Sequence, residues 1–292
     1  MKKSENRAFK KRSQLSLIWH RLSRNKLAML GLLLMTVIFG LALCADLIAD
    51  YDQAVVGMNI MERLQPPSAK HWFGTDGYGR AVFARVVHGS RLSRSMSIVS
   101  LAIAGAGGSL IGAISGFYGG KIDDVLMRLM DMLLAIPPML MSISIVAALG
   151  RSMVNLMLAL ALAYMPVFAR VIRSSILSVK GQEFVEAAKA CGTSDARIIM
   201  RHIVPNAVGP IIVQATLAMG AAILTISSLS FMGMGIQPPQ PEWGTMLYEG
   251  RDLIRTSPYL VVFPGLAIAV SVLSLNLLGD GLRDALVPRL KN

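Results

Sequence analysis

Residues 182–206 read QEFVEAAKACGTSDARIIMRHIVPN, and this polar, charged segment interrupts long apolar runs on both sides. Its first half places apolar or small residues at helical spacing, and they predict one helix face: Phe184, Ala187, Ala188 and Cys191. Two adjacent alanines beside Glu186 would let the backbone of a partner approach closely. We therefore begin with this segment and place the rest of the chain around it.

Gly192 is expected to end the first helix, because glycine adopts the left-handed conformation at low steric cost. Thr193 can cap a second helix, and Asp195 suits the positive end of its dipole. That helix is predicted to run through Arg201 to Pro205, which lacks a backbone donor and favours an end. Spacing alone leaves open the alternative of a tightly folded connecting loop.

The composition indicates a membrane protein. Of the 292 residues, 54% are hydrophobic and 16% are charged, whereas soluble domains carry about 25% charged residues. The net charge of +12 could indicate nucleic-acid binding, but the basic residues cluster beside apolar runs and are not interleaved with aromatics. Positive loops retained in the cytoplasm explain them better, so we expect a lipid bilayer and no nucleic acid as partner.

Six apolar runs approach the roughly 20 residues that cross a bilayer. They are residues 27–49, 96–118, 122–149, 155–171, 207–232 and 260–278. The first is too long for the apolar part of a signal peptide and follows a basic N-terminus, so it is expected to remain uncleaved, after an amphipathic surface helix. Six spans then place both termini and the 182–206 segment in the cytoplasm. Pro137 and Pro138 should kink the third span.

Local spacing gives three further expectations. Asp76 should cap backbone amides or pair with Arg80. Asp124 and Arg128, at i and i+4, are suited to an ion pair. Trp243 follows a proline-rich turn and is expected at the membrane interface.

The sequence contains no recognisable catalytic or metal-binding pattern. It has no P-loop, no nucleophile elbow, no His-Glu-x-x-His and no cysteines at zinc spacing. His71 and His88 are isolated, and no disulfide is expected between Cys44 and Cys191. We therefore expect no catalytic residue and no metal site. Uphill transport would need energy from a partner or an ion gradient.

The 182–206 segment resembles the EAA loop of ABC importer permeases, which carries Glu-Ala-Ala, three residues, Gly, and a proline at the far end. His202 stands where Ile is usual and resembles the His-x-x-Pro-Asn ending of the peptide/nickel branch. The resemblance implies that the loop docks on a cytoplasmic ATPase. The residues so implicated are Glu183, Glu186, Ala187, Ala188, Gly192 and Pro205.

Two more stretches resemble the same family. One is similar to the external Gly-Thr-Asp-x-x-Gly-Arg-Asp motif, with alanine at 81 and 84 where Asp and Ser are usual; its matching residues are Gly74, Thr75, Asp76, Gly79 and Arg80. Residues 238–244 resemble a Pro-Pro-x-Pro-Glu-Trp-Gly pattern. The C-terminus also resembles the family's, with Val287 where Asp is common.

The resemblance implies an all-α type I ABC importer permease with six transmembrane helices: a five-helix core plus an N-terminal span, in a bacterial inner membrane. The predicted parts are a basic cytoplasmic segment (1–26), a first span (27–49), an extracytoplasmic segment (50–95), a permease core (96–279) containing the cytoplasmic coupling loop (173–206), and a cytoplasmic C-terminus (280–292). The implied partners are a second related permease, two ATPase subunits that bind ATP and Mg, and an extracytoplasmic substrate-binding protein. The chain itself would bind no cofactor.

The substrate stays open at this point. Dipeptides or oligopeptides are expected, with a nickel chelate or glutathione as alternatives within the family. A self-sufficient ion-coupled transporter would need a charge inside a span or an inverted repeat, and neither is visible in the sequence. A structural protein without transport would leave the coupling-type loop unexplained.

Overall fold

The computed structural model describes residues 14–199, 201 and 204–286, and this part of the chain consists of helices and connecting loops, without strands. Its α-helices are α1 (Gln14–Arg24), α2 (Lys26–Leu43), α3 (Ala45–Ile48), α4 (Val82–Tyr118), α5 (Gly120–Leu134), α6 (Pro138–Leu149), α7 (Met153–Lys180), α8 (Glu183–Ala190), α9 (Asp195–Ile198), α10 (Val204–Phe231), α11 (Trp243–Gly250) and α12 (Tyr259–Leu286). The amphipathic sequence before the first span thus forms a separate helix, α1.

Five helices are long and apolar enough to cross a membrane, namely α2, α4, α7, α10 and α12. The pair α5 and α6 passes the same test together, but is bent by 85° at its break. The described chain therefore has five candidate spans, or six if the bent pair is one span, which agrees with the predicted fold class.

The bend between α5 and α6 confirms the predicted kink. Pro138 is the first residue of α6, and Pro137 before it is extended, with φ −53° and ψ 134°. A residue that precedes proline is driven out of the helical region, so the helical hydrogen bonds stop before Ile136 and start again after Pro137. The result is a sharp break rather than a gentle curve.

Helix α4 begins at Val82, fourteen residues before the predicted start of the second span. Its 37 residues make a rod of about 55 Å, whereas the hydrocarbon core of a bilayer is about 30 Å thick. Arginines in its first turns lower the local hydropathy, so an apolar run does not mark where the helix begins. The helix therefore continues well beyond the apolar window from which a span is recognised.

Glycines of α4 form a close seam with α7. A Cβ added at Gly112 would lie 2.3 Å from the carbonyl oxygen of Ala169, and one at Gly108 would lie 2.5 Å from that of Met165. Only residues without a side chain allow two helix backbones to approach so closely. This stripe of small residues therefore packs two helices of the same chain against each other.

Two ends of the bundle can be distinguished. The α8 end carries α1, α8, α9 and the C-terminus of α12: Arg21 of α1 donates to the carbonyl oxygen of Ala285 at 3.3 Å, and Gly209 near the start of α10 faces Leu286. The α11 end carries residues 50–81 and α11. Helix α4 runs from the α11 end to the α8 end.

Candidate functional sites at the two ends of the bundle

At the α8 end, residues 182–199 fold as the predicted short helix, turn and second short helix. Gly192 has φ +72°, which confirms the left-handed residue after α8. The amides of Cys191 and Thr193 donate to Ala187 and Ala188 carbonyl oxygens at 3.0 and 3.1 Å, so the turn closes the helix with its own backbone. Ser194, not Thr193, is the residue directly before α9.

The predicted face of α8 is not the face that packs on the bundle. Val185 is completely buried, packing with Ile198 against α4 and α7, whereas Ala187 and Cys191 are exposed. Phe184 is 41% exposed. The spacing rule identified a helix face but could not tell which face meets the bundle. That choice is made by the apolar cluster at the ends of α4 and α7.

The outward surface of α8 is acidic and small. It presents Glu183 and Glu186, both exposed and both in the first turn, where negative charge is favoured by the helix dipole. Ala187 lies exposed beside them. Because Val185 anchors the opposite side, this surface is fixed to the bundle while staying available to a partner.

Pro205 does not end α9, as the sequence predicted, but is the second residue of α10. A proline is tolerated in the first turn of a helix, where its missing donor would have no intrahelical partner. The interpretation of His202, and those of the basic residues 1–13 and of Val287, concern positions outside the described residues. Ala188 is half-buried against the apolar cluster.

At the α11 end, Asp76 makes both predicted contacts. One carboxylate oxygen accepts from the backbone amides of Tyr78 and Arg80 at 2.9 and 3.0 Å, and the other accepts from the Arg80 side chain at 2.6 Å. Gly74 and Gly79 both have φ +78°, which shapes the turn around it. The external motif is thus a tight, self-bonded loop.

Two residues that sequence reasoning missed complete this cluster. Arg85 lies 2.5 Å from Asp76 and 2.8 Å from Glu249, and Arg80 also reaches Glu249 at 3.0 Å. Both arginine side chains are 1% exposed. Two cations and two carboxylates compensate one another, which a buried charge requires. No sequence signal points to Glu249, which is on α11 and far away along the chain.

The loop that carries Asp76 is also held by its neighbours. A Cβ at Gly79 would lie 1.8 Å from the carbonyl oxygen of Asn59. The hydroxyl of Tyr259 donates to the carbonyl oxygen of Thr75 at 3.2 Å, which ties the loop to the start of α12. Elsewhere in residues 50–81, a hydrogen bond from Lys70 lowers the pKa of the Glu62 carboxyl.

The prediction that Trp243 lies at the membrane interface is wrong. Its side chain is 1% exposed, and its ring nitrogen donates to the carbonyl oxygen of Val86 at 2.9 Å. Glu242, fully buried, accepts from the Thr245 amide at 2.9 Å and from the Ser93 hydroxyl at 3.1 Å. The proline-rich turn folds α11 back onto α4, so this motif supports packing inside the protein.

The predicted ion pair between Asp124 and Arg128 is also wrong, since the structure describes none between them. The aspartates of α5 instead pair with α7: Asp123 with Arg173 and Asp131 with Arg170. Tertiary partners on a neighbouring helix replace the local one.

A cleft of about 750 Å³ lies between α6, α10, α11 and α12. Its walls are mainly apolar, with Ser227, Ser228 and Asn276 among the polar residues. Clefts of about 300–1,000 Å³ hold small molecules, but this one is open rather than enclosed. A second protein could close it.

A bundle of apolar helices with a polar, anchored helix-turn-helix at one end and an open cleft suits a membrane permease. Residues 108–292 match the family model described as "Binding-protein-dependent transport system inner membrane component". Residues 13–67 match the "N-terminal TM domain of oligopeptide transport permease C". The chain belongs to this family of inner-membrane components, the non-catalytic permease subunits of ABC importers.

Curated relatives cover nearly the whole chain. The dipeptide transport system permease protein DppC of Alkalihalophilus pseudofirmus is 46% identical over 93% of this chain and 89% of its own length. The di/tripeptide transport system permease protein DppC of Pseudomonas aeruginosa is 40% identical over 96% and 94%. The glutathione transport system permease protein GsiD of Escherichia coli is 42% identical over 94% and 90%.

Proposed function

We propose that this chain forms, with a second related permease, the path by which short peptides enter the cell, driven by two ATPase subunits that dock on α8. The observation that carries the proposal is the construction of α8. Its Val185 side is locked to α4 and α7, and its acidic, small-residue side is exposed. A rigid element of this kind can transmit a push from a cytoplasmic partner to the spans.

The residues proposed for the ATPase interface have distinct roles. Glu186 orients α8 against the ATPase, with Glu183 beside it, and the exposed Ala187 permits close docking. Ala188, half-buried against the apolar cluster, lets α8 lie close to the bundle. Gly192 makes the turn that holds α9 back against the bundle. Pro205 belongs to the start of α10, so its proposed role is to fix where the segment re-enters the bundle.

The proposed mechanism is alternating access. ATP and Mg are bound by the ATPases, whose closure moves α8, and no cofactor is bound by this chain. The movement opens the cleft outward, toward a substrate-binding protein at the α11 end. This orientation places both termini in the cytoplasm, since α1 and the C-terminus of α12 lie at the α8 end.

Short peptides are favoured as substrate because the relatives above are named for dipeptide, di/tripeptide and glutathione transport. Glutathione is itself a tripeptide, so one substrate class covers all three names. A nickel chelate is the alternative. The binding protein would supply the final selectivity.

The test is affinity purification of the tagged chain from its native membrane in mild detergent, with mass spectrometry of the proteins recovered. We expect a P-loop ATPase and a second permease, both lost on Glu186→Arg combined with Gly192→Val. Asp252→Lys reverses an exposed charge at the α11 end and should leave recovery unchanged. Recovery of this chain alone, together with ion-driven uptake in proteoliposomes, would replace the proposal with an ion-coupled transporter.

A further inference from the structure

Helix α5 is joined to the bundle by ion pairs as well as by apolar contacts. All fifteen of its residues are described, and among them Met130 is the buried one. Ile122, Val125 and Met132 are exposed. Leu126, Met127, Leu133 and Leu134 are half-buried. Apolar packing therefore covers only part of α5, and the aspartate–arginine pairs with α7 are its directional attachments to the bundle.

The pair nearer the α8 end is the stronger one. Arg173 donates through Nε to Asp123 Oδ1 at 2.6 Å and through Nη2 to Oδ2 at 2.5 Å. The hydroxyl of Ser115, fully buried on α4, donates to the same carboxylate. Two parallel hydrogen bonds between ionised groups are both strong and directional. One carboxylate thus joins α4, α5 and α7.

This attachment point lies beside the anchor of α8. Arg173 is flanked on α7 by Ile172 and Ile176, and these two side chains contact the apolar cluster that holds Val185 and Ile198. The same turns of α7 therefore carry α8 and hold α5. A displacement of α8 reaches Arg173 without passing through a flexible segment.

On its other side, α5 leads to the cleft. It ends at the 85° break, and α6 follows at once. Met141 and Val146 of α6 are buried, and Met139 lines the 750 Å³ cleft. Helix α5 thus lies between α8 and one wall of the cleft.

We propose that Asp123 and Arg173 are positioning residues for transport: their bidentate pair, with Ser115, makes α5 and α6 follow α8 when it moves. The inference rests on the proposed coupling of α8 to ATPases. It assigns the transmission of that movement to a particular set of atoms. Arg173 is required as arginine, since lysine cannot supply the two-pronged donor.

The chain contains a matched control in the second pair between the same helices. Arg170 donates to Asp131 at 2.6 Å through one nitrogen, and the two side chains are 55% and 56% exposed. Exposed pairs of this kind contribute little to stability, because water screens them and the long side chains lose freedom when they pair. Asp131→Asn therefore removes the same charge from the same helix while leaving the Asp123 attachment intact.

The test measures movement of the cleft walls in the complete complex. Spin labels are placed at Leu140→Cys on α6 and Leu273→Cys on α12, both exposed, with Cys44 and Cys191 replaced by serine. Distances between the labels are compared with and without ATP and vanadate. We expect a nucleotide-dependent change in the otherwise unmodified complex, reduced by at least half in Asp123→Asn, less reduced in Arg173→Lys, and retained in Asp131→Asn.

The rate of ATP hydrolysis is measured on the same samples to separate positioning from misfolding. It should stay within about twofold of the unmodified complex in Asp123→Asn, because the ATPases are intact and only transmission is lost. A full distance change in Asp123→Asn and Arg173→Lys overturns the inference, as does a loss of hydrolysis in proportion to the loss of movement. No nucleotide-dependent change in the unmodified complex would instead refute the proposed coupling.

Discussion

At the scale of single residues, two glycines show different requirements. Among the residues that the structure describes, no atom lies within 4 Å of a Cβ built at Gly192, and its φ is +72°; this position needs the left-handed backbone conformation. Gly79 needs both the left-handed conformation and the absence of a side chain, because its φ is +78° and its Cβ would lie 1.8 Å from the carbonyl oxygen of Asn59. A substitution at Gly192 therefore tests the turn without a steric clash.

Gly192→Val should abolish transport and ATPase recovery while membrane insertion survives. The left-handed conformation costs an L-residue about 1–2 kcal/mol, and a β-branched side chain tolerates it least. Uptake of a labelled dipeptide and the amount of membrane-inserted protein are measured together. Gly192→Asn, which accepts this conformation, should keep most activity, and so should Gly181→Val, where φ is ordinary and space is open. Normal uptake by Gly192→Val would contradict the docking role of the turn.

At the scale of elements, the pairing of α4 with α7 depends on the stripe of glycines between them. Each of Gly108 and Gly112 faces a carbonyl oxygen of α7 at a distance that no side chain permits. The same two helices then contact α8 through Ile176 and Phe117. Their separation therefore determines where α8 is held.

Gly112→Ala should lower the thermal stability of the purified protein, because its Cβ would lie 2.3 Å from the Ala169 carbonyl oxygen. Overpacking of this kind costs about 1–3 kcal/mol. The matched control is Gly105→Ala on the same helix, whose Cβ would lie 3.7 Å from the Phe168 ring, an ordinary contact. Unfolding midpoints in one detergent compare the two. Equal midpoints would show that the helices separate without cost.

At the scale of the whole molecule, the two ends are built differently. The α11 end is fixed by the buried cluster of Asp76, Arg80, Arg85 and Glu249, which joins the external loop to α11. The α8 end is held by an apolar cluster and leaves an acidic surface exposed. In the proposed orientation, a rigid outer end and an exposed acidic surface at the other end suit a protein that works between two partners.

The proposed orientation predicts opposite labelling of the two ends. In intact spheroplasts, a membrane-impermeant maleimide should spare Cys191, which is exposed at the α8 end, in a Cys44→Ser background. It should label Gln240→Cys, exposed at the α11 end, in a chain without native cysteines. Cys191 should react once the membrane is permeabilised. Labelling of Cys191 from outside would reverse the orientation.

The sequence by itself determined the features that arise within a few residues of one another. These are the apolar spans, the left-handed turn at Gly192, the break at Pro138, and the contact of Asp76 with Arg80 at i+4. Each follows from the conformational preference of one residue or from the geometry of one turn. The motif residues of the 182–206 segment were likewise recognisable without coordinates.

Tertiary structure alone decided which partners meet across the bundle. It chose Val185 as the buried side of α8, placed Trp243 inside against Val86, and joined Asp123 to Arg173 rather than Asp124 to Arg128. Such contacts depend on the rotation and separation of whole helices, as the glycine seam between α4 and α7 illustrates. A helical period shows that a face exists, but packing against neighbours determines which face is turned inward.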